Sequence, residues 1–513
     1  MVATLGLATP GGATAREAAK PKSGGTLTMG VNLDPRNYDP VNLSGTASAG
    51  NWAVPAIYGG LFYVDQKTAK VVPWFAESIA TTDNGTTWTI KIRKGIKFSD
   101  GTPYDADALI YNWDRFKDAS LGGSNTAGFV AKYDSYTKVD DLTVTVKLKA
   151  QDTQYPYALA YIQGENYLGS PTAEKAQGAA FGANPVGAGP FTVKSYIPRN
   201  RIDLVKNTSY WDAPRPYLDS ISYVVVSDTA QRVNGMNAGE YQATWYSDID
   251  SPRQLMTGPN AIKYQDISAQ QVVGAGFQLN VAKPPLDDLA LRTALWRAIS
   301  PEVIHATLYP SWPLANAFFP KGSEFYSNEN VFPKENLKAA QIGVDAYLQK
   351  TGQPKLNLVV DVTAGFAVDI TLGTLIKANL ERVKGVSVTV NPLTNQEAVV
   401  KRSNGDFMFT RSGVLGPWPY QMSALFSSTG VADWGKCSDP KLDSSLKAGQ
   451  STTDHAKQVQ AYADAGVAMA KNQCYWPMSV STYQGIFLKT IKGIDVIGDS
   501  NYRPDMLSTS STK

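Results

Sequence analysis

The sequence contains few of the residues that hold metals and redox centres. Its 513 residues include two histidines and two cysteines, too few for most metal sites and for redox centres built on several cysteines. The chain also has little excess of either sign of charge, because it contains 48 basic and 45 acidic residues, for a net charge of +3. This balance excludes a broad nucleic-acid-binding surface. We expect no metal, no cofactor and no nucleic-acid partner.

Long hydrophobic runs are missing as well, since none reaches the ~18–20 residues that a membrane-spanning helix needs. Hydrophobic residues still make up 43% of the chain, which is typical of a globular protein. Its length predicts about two to four structural units of roughly 100–200 residues each.

The chain begins with small, weakly apolar residues that end in Ala13-Thr14-Ala15, a sequence similar to a signal-peptide cleavage site. We interpret residues 1–23 as the remnant of a truncated secretory signal and a disordered tail, with an ordinary tail as the alternative. This predicts a periplasmic, cell-surface or secreted protein. In such an oxidising compartment Cys437 and Cys474 could form a disulfide; two buried free thiols are the alternative.

The clearest architecture lies between residues 355 and 411. The pattern of apolar residues predicts strands and helices in the order β-α-β-α-β, over Lys355–Val362, Ala367–Lys384, Val386–Val390, Gln396–Ser403 and Asp406–Arg411. This is the doubly wound α/β unit with parallel strands. Ligands bind such sheets beyond the carboxyl ends of the strands, where the loop Ser412–Tyr420 begins.

Two helix starts are also predicted. Thr102 caps a helix that runs to about Lys117, with Pro103 at its first position. Asp288 favours the start of a helix over Leu289–Ile299.

Motifs for catalysis are absent from the sequence. It contains no G-x-S-x-G, H-E-x-x-H, G-x-x-x-x-G-K-[ST] or C-x-x-C pattern. We therefore expect a protein that is not an enzyme. A secreted glycoside hydrolase stays open as the alternative from a different class, because its two carboxylates can be distant in sequence.

Several stretches together resemble one family of transport proteins. The most specific is Trp88–Pro103, and the others are Gly24–Leu27, Asn184–Phe191, Lys206–Trp211, Phe277–Asn280 and Lys283–Asp288. They are similar to motifs of the extracellular solute-binding proteins of ABC importers, of the dipeptide-, oligopeptide- and nickel-binding type (family 5). The matches extend over residues 24–490, nearly the whole chain.

The resemblance implies an α/β, two-lobed fold like that of periplasmic binding proteins (type II, large peptide-binding class), with an extra small domain inserted. The expected ranges are 24–58, 186–274 and 477–510 for lobe I, 59–185 for the inserted domain and 275–476 for lobe II. The protein would be a monomer that captures a small solute between its lobes and delivers it to the membrane permease of an ABC importer. A related possibility is a sensor that reports the solute to a membrane receptor.

The resemblance also suggests ligand contacts in lobe II. Peptide-binding members place an aspartate after the strand that matches Asp406–Arg411, where it pairs with the α-ammonium group. Val414 takes that place here, which argues against ligands with a free amino terminus. Arg411 could bind a carboxylate or phosphate, or form a structural salt bridge. Trp418 and Tyr420 could stack on an aromatic or sugar ring, or pack the loop.

Further candidates lie in lobe I. Asp34 follows the first strand, at a position where oligopeptide binders place an acid near the ligand; a turn is its alternative role. Trp245 and Tyr246, adjacent in a probable strand, and Trp52, near the lobe junction, could reach the ligand or belong to the core. We predict a small organic anion, an aromatic compound or a modified peptide as ligand. An ordinary di- or oligopeptide and an oligosaccharide are the alternatives.

Overall fold

A computed structural model describes the fold. It describes residues 21–35, 37–43, 51–65, 68, 70–121, 126–160, 164–246, 250–257, 259–268, 272–273, 276–309, 314–319, 321–364, 367–412, 419–430, 433–437, 439–481, 484–497 and 501–509. Val414, Trp418, Ala13–Ala15 and most of the tail lie outside these residues. Within them, every helix is too short or too polar to cross a membrane.

The strands are distributed along the whole described chain. They are β1 (Thr26–Val31), β2 (Phe62–Asp65), β3 (Lys70–Pro73), β4 (Ala76–Thr81), β5 (Thr87–Ile92), β6 (Tyr133–Asp140), β7 (Thr143–Leu148), β8 (Phe191–Ile197), β9 (Arg201–Lys206), β10 (Ser220–Val225), β11 (Ala243–Tyr246), β12 (Tyr264–Ser268), β13 (Val272–Val273), β14 (Gly276–Leu279), β15 (Leu356–Thr363), β16 (Val386–Leu393), β17 (Phe409–Ser412), β18 (Tyr475–Pro477), β19 (Val480–Ser481), β20 (Gln484–Leu488), β21 (Ile491–Lys492), β22 (Val496–Ile497), β23 (Asn501–Tyr502) and β24 (Ser508–Thr509).

The helices fill the connections between these strands. They are α1 (Val54–Tyr58), α2 (Ala106–Arg115), α3 (Thr126–Lys132), α4 (Tyr155–Ala160), α5 (Pro171–Gln177), α6 (Thr229–Ala238), α7 (Asp250–Thr257), α8 (Leu289–Trp296), α9 (Pro301–Leu308), α10 (Leu337–Thr351), α11 (Ala367–Leu380), α12 (Asn395–Asn404), α13 (Tyr420–Phe426), α14 (Pro440–Gln450) and α15 (His455–Asn472).

A seven-stranded sheet organises lobe I, in the order β12-β20-β11-β1-β10-β9-β8. Its central strand β1 pairs in parallel with β10 on one side and with β11 on the other. The sheet takes strands from the start of the chain, from its middle and from near its end. Lobe I therefore has its own hydrophobic core, and that core is built from segments that are far apart in the sequence.

The inserted domain is built on an antiparallel sheet in the order β4-β5-β7-β6. In β5 the predicted alternation is confirmed, since Trp88, Ile90 and Ile92 are buried while Thr89 and Lys91 point to solvent. These side chains belong to a second large hydrophobic core.

A further sheet, β23-β22-β2-β3, joins this region to the C-terminal part of the chain. The guanidinium of Arg503 reinforces that junction, because it lies over the rings of Tyr63 and Trp74 at 5.0 and 4.3 Å from their centroids. Strand β2 lies within the predicted inserted domain and β22 within the predicted lobe I, but the two strands belong to one sheet. The predicted domain boundaries therefore remain a proposal.

Lobe II contains the predicted β-α-β-α-β unit, which is confirmed. Its five-stranded sheet has the order β16-β15-β17-β14-β18. Strand β15 pairs in parallel with both β16 and β17, and α11 and α12 form the two crossovers. Five of the eight residues of β15 are Leu or Val, as expected for a strand inside a parallel sheet.

One of the two predicted helix starts is wrong. The helix α2 begins at Ala106, and Asp105 caps it by accepting a hydrogen bond from the Ala108 N–H. Thr102 instead donates its hydroxyl hydrogen to Asp100 in the preceding turn. The second prediction is confirmed, since Asp288 accepts from the Leu291 N–H at the start of α8.

A buried charge network attaches the inserted domain to lobe I. Arg115, at the end of α2, donates two hydrogen bonds to the carboxylate of Asp39, at 2.9 and 2.7 Å. Its Nη1 also donates to Glu174 at 2.7 Å. Because burial outweighs this contact and Asp39 adds a like charge, the pKa of Glu174 is raised from 4.5 to about 8.

We expect Glu174 to make stability depend on pH. Between these two pKa values, Glu174 holds a proton in the folded state but has lost it in the unfolded state. Wild-type stability therefore falls as pH rises from 4.5 towards 8. Glu174→Gln removes the titrating group while keeping its shape. The free energy of unfolding of this variant, from urea titrations, should therefore gain on that of wild type with rising pH.

The exposed Glu240 provides the control for that titration. Glu240→Gln removes one carboxylate at the surface and should leave stability within about 0.5 kcal/mol of wild type. Parallel pH profiles for wild type and Glu174→Gln would contradict the raised pKa.

The cysteines lie together in lobe II. The Cα atoms of Cys437 and Cys474 are 5.3 Å apart and the structure joins their sulfurs. Both side chains are fully buried, in a core that includes Met469.

We expect the two sulfurs to be bonded in the purified protein. A disulfide that closes a loop across a sequence separation of 37 residues contributes about 2–4 kcal/mol of stability. Intact mass spectrometry after alkylation without reductant should show two unmodified cysteines, and reductant should lower the unfolding midpoint. A double variant, Cys437→Ala with Cys474→Ala, should not respond to reductant. Alkylation of both cysteines in the unreduced, unfolded protein would contradict the bond.

Candidate functional site

The chain crosses between the lobes at one edge of the lobe I sheet. Ser268, the last residue of β12, lies opposite Gln484 at the start of β20, and Gln484 lies opposite Tyr246 at the end of β11. Between these strands and lobe II, β13 and β19 pair as an antiparallel ribbon. The carboxyl ends of β1 and β11 therefore lie on the side of lobe I that faces lobe II.

The same geometry holds on the other side of the crossing. Gly276, the first residue of β14, lies opposite Ser412 at the end of β17 and opposite Pro477 at the end of β18. The carboxyl end of β17 thus lies at the point where the chain enters and leaves lobe II. Both sheets present the edge at which parallel strands end, which is where α/β proteins bind ligands.

Two indole rings meet at the lobe I edge. The centroids of the Trp52 and Trp245 rings are 5.3 Å apart, with an angle of 57° between their planes, and each residue is 2% exposed. Gly485, opposite Trp245 in the sheet, makes room for the indole, since a Cβ there would lie 2.3 Å from Cζ3 of Trp245.

Neither indole N–H finds an acceptor among the described residues. Nε1 of Trp52 and Nε1 of Trp245 are both buried without a hydrogen bond. An indole N–H is a donor only, and a buried donor without an acceptor costs about 1–3 kcal/mol. The pair therefore offers two hydrogen bonds to an acceptor that the described protein does not supply.

Asp34 is held within lobe I by three donors. Its carboxylate accepts from the hydroxyls of Tyr38 and Tyr196, at 3.2 and 2.7 Å, and from the backbone N–H of Arg199 at 2.7 Å. Burial, and then the nearby carboxylate, raise the pKa of Tyr38 and that of Tyr196. Asp34 thus ties β1 to the hairpin of β8 and β9, and three of the roughly four acceptor positions of its carboxylate are occupied.

Arg411 lies at the lobe II edge, where its guanidinium is already engaged. Its Nε donates to the carboxylate of Asp369 at 2.9 Å, and its Nη1 donates to the carbonyl oxygens of Ser412 and Gly276 at 2.6 and 3.4 Å. Burial lowers the pKa of Arg411, but the charge and hydrogen bond of Asp369, together with the nearby Tyr309 and Tyr475, outweigh burial and raise the pKa. An anionic ligand at Arg411 would share it with Asp369.

The sequence reasoning missed Asp369. Its position carried a usable signal, because it lies in the first turn of a predicted helix that follows a predicted strand. The same reasoning missed a second ion pair at this edge. Asp361 lies opposite Asn391 in the parallel ladder, accepts from its amide at 2.7 Å and pairs with Lys401 at 2.9 Å. A lone aspartate in an apolar strand was the available signal there.

The remaining candidates can be placed only in part. Tyr246 is the last residue of β11 and Tyr420 the first of α13, so the backbone of each lies near the crossing. Val414 and Trp418 lie outside the described residues. Among the described residues, His, Cys, Asp and Glu form no group of three or more that could hold a metal ion.

Comparison with known proteins agrees with this geometry. Residues 70–435 match the model of the family described as bacterial extracellular solute-binding proteins, family 5 middle. The chain is 24% identical over 526 residues to the glutathione-binding protein GsiB of Salmonella paratyphi A, covering 98% of this chain and 97% of that protein.

Solved structures share the fold. AgaA from A. tumefaciens R10, in complex with agropinic acid, superposes with a TM-score of 0.79 at 21% identity, covering 95% of this chain and 99% of that one. The oligopeptide-binding protein AppA from Bacillus subtilis, in complex with a nonapeptide, has a TM-score of 0.79 at 21% identity, covering 96% and 100%. The predicted two-lobed α/β fold is therefore confirmed.

We expect Asp369 to be required for stability because of Arg411. Asp369→Asn leaves a buried guanidinium without its counter-charge, which costs about 3–5 kcal/mol. The measurement is the free energy of unfolding from urea titrations. Asp345→Asn, at an exposed position on α10, is the matched control and should change stability by less than about 1 kcal/mol. Equal stabilities for the two variants would show that Arg411 does not depend on Asp369.

Proposed function

Because this chain belongs to the bacterial extracellular solute-binding proteins of family 5, we propose that its ligand is a small, oxygen-rich solute, a modified peptide or an organic acid. The protein is an extracytoplasmic solute-binding protein of an ABC importer. It captures a solute between two lobes, and the permease of the importer is its membrane partner. The proposal concerns the chemical class of that solute.

The single observation that carries the proposal is the pair of buried indole N–H groups without acceptors. Carboxylate, carbonyl and hydroxyl oxygens accept hydrogen bonds, whereas an ammonium group only donates. An oxygen of the solute can therefore accept a hydrogen bond from the indole N–H of Trp52 or Trp245, and an α-ammonium group cannot.

The charges at the two edges support the same class. Asp34, Asp361 and Asp369 each have partners within their own lobe. A peptide with a free amino terminus would have to share one of these carboxylates with its present partner. This disfavours an ordinary di- or oligopeptide. The sequence comparison argues the same way, because Val414 stands where peptide-binding members have an aspartate. GsiB and AgaA, whose names and structures specify glutathione and agropinic acid, supply the first two test compounds.

We also propose that the protein acts as a monomer and leaves the solute chemically unchanged. Its relatives are binding proteins, and closure of two lobes on a solute requires no reaction. Size-exclusion chromatography with light scattering should give the mass of one chain. The solute should be recovered with its mass unchanged after long incubation, and a cleaved product would contradict this.

The experiment that tests the ligand class starts from the purified protein. Native mass spectrometry before and after unfolding identifies a solute that stays bound, and thermal-shift assays compare glutathione, agropinic acid and unmodified tripeptides. We expect the bound solute to contain carboxylate, carbonyl or hydroxyl oxygens and not to be an unmodified peptide. A released unmodified di- or oligopeptide, or a solute without such oxygens, would overturn the proposal.

Substitution of the indoles tests the contact itself. Trp52→Phe and Trp245→Phe keep an aromatic ring but remove the N–H donor. Each substitution should therefore lower the affinity for the identified solute by up to about tenfold. Isothermal titration calorimetry measures the affinity.

The matched control is Trp211→Phe. Nε1 of Trp211 is also buried without an acceptor, but its ring packs against Phe75 in the inserted domain. This variant should keep the wild-type affinity. The proposal fails if all three variants bind equally well, or if Trp211→Phe alone weakens binding.

A further inference from the structure

The inserted domain touches lobe II far along the chain from the crossing ribbon. The backbone N–H of Thr153 donates to the carbonyl oxygen of Gln450 at 2.9 Å. The hydroxyl of Thr153 donates to the carbonyl oxygen of Thr452 at 2.9 Å and accepts from the side-chain amide of Gln458 at 3.2 Å. The amide of Gln151 reaches the carbonyl oxygen of Ser451 at 3.4 Å.

The centre of this contact is buried. Thr153 is 6% exposed and its neighbour Gln154 is 5% exposed, whereas Gln151 is exposed to solvent. Next to it, α4 of the inserted domain packs against α13 of lobe II. The hydroxyl of Thr153 is therefore shielded from water and depends on lobe II for its hydrogen bonds.

The inserted domain is attached to lobe I much more firmly than to lobe II. Arg115 pairs with Asp39 through two hydrogen bonds, and the indole N–H of Trp74 donates to the Tyr210 hydroxyl at 3.1 Å. Strand pairing between β2 and β22 adds backbone hydrogen bonds. When the lobes move relative to each other, the inserted domain must move with lobe I.

We propose that Thr153, Gln458 and the turn of residues 449–452 form a latch that holds the two lobes together in the closed arrangement. The inference rests on the proposed function, since it concerns how that protein closes on its solute. Opening about the β13–β19 ribbon separates the inserted domain from lobe II and breaks these hydrogen bonds. The latch touches no candidate ligand residue, so it stabilises the closed state whether or not a solute is bound.

The test compares Thr153→Val with wild type by amide hydrogen exchange on solute-free protein, prepared by unfolding and refolding. Valine keeps the shape of threonine but loses the hydroxyl. The loss of its two hydrogen bonds should speed exchange about tenfold in peptides that cover residues 151–154 and 449–458. Small-angle scattering should show a larger radius of gyration.

Two further variants keep the test decisive. Thr137→Val, at an exposed position in β6, is the matched control and should match wild type. Gln458→Leu removes the same contact from the lobe II side and should reproduce the effect of Thr153→Val, which guards against a local folding defect in the inserted domain. Unchanged exchange and radius in both latch variants would overturn the proposal.

The latch proposal and the ligand-class proposal are tested independently of each other. The exchange experiment uses no solute, so its result does not depend on which solute the protein binds. Once the solute is identified, Thr153→Val should also lower its affinity, because closure then costs more. Wild-type affinity in this variant would contradict the latch, while the Trp52 and Trp245 variants would still report on the solute.

Discussion

The two-stranded crossing between the lobes is the constraint on which the rest of the structure depends. β13 and β19 leave both sheets at the edges where their parallel strands end. These edges expose loops and strand-end groups, and the ribbon holds them face to face. Each lobe has its own hydrophobic core, so the lobes can move as rigid bodies. A binding site between them follows from this topology, before any individual side chain is considered.

Charged groups at these edges are neutralised within their own lobe. Asp34 binds tyrosine hydroxyls, Arg411 binds Asp369, and Asp361 binds Lys401. Because a buried charge without a partner is costly, this pairing lets each lobe stay folded when the cleft is open. The consequence for binding is that each of these three groups already has a partner before a solute enters. We propose that recognition depends instead on hydrogen-bond donors such as the indole N–H groups of Trp52 and Trp245.

The inserted domain links this arrangement to the motion of the lobes. Arg115 and Arg503 anchor it to lobe I through ion pairs and ring contacts, while its contacts with lobe II are neutral hydrogen bonds at Thr153 and the packing of α4 on α13. Charge-assisted and aromatic contacts are stronger and harder to break than a few neutral hydrogen bonds. This difference is the reason for our proposal that the attachment to lobe II opens while the attachment to lobe I persists.

The sequence by itself determined the features that depend on neighbours along the chain. The periodicity of residues 355–411 predicted the parallel unit of lobe II, Asp288 was recognised as a helix cap, and the stretch Trp88–Pro103 indicated the family. The start of α2 was misplaced because Thr102 and Asp105 are both good caps, and only the turn around Asp100 selects between them. The partners in space came from the tertiary structure alone. Asp369 meets Arg411 across 42 residues of chain, and Trp52 meets Trp245 across a far longer stretch, because ion pairs and ring contacts depend on distance in space, which local patterns do not encode.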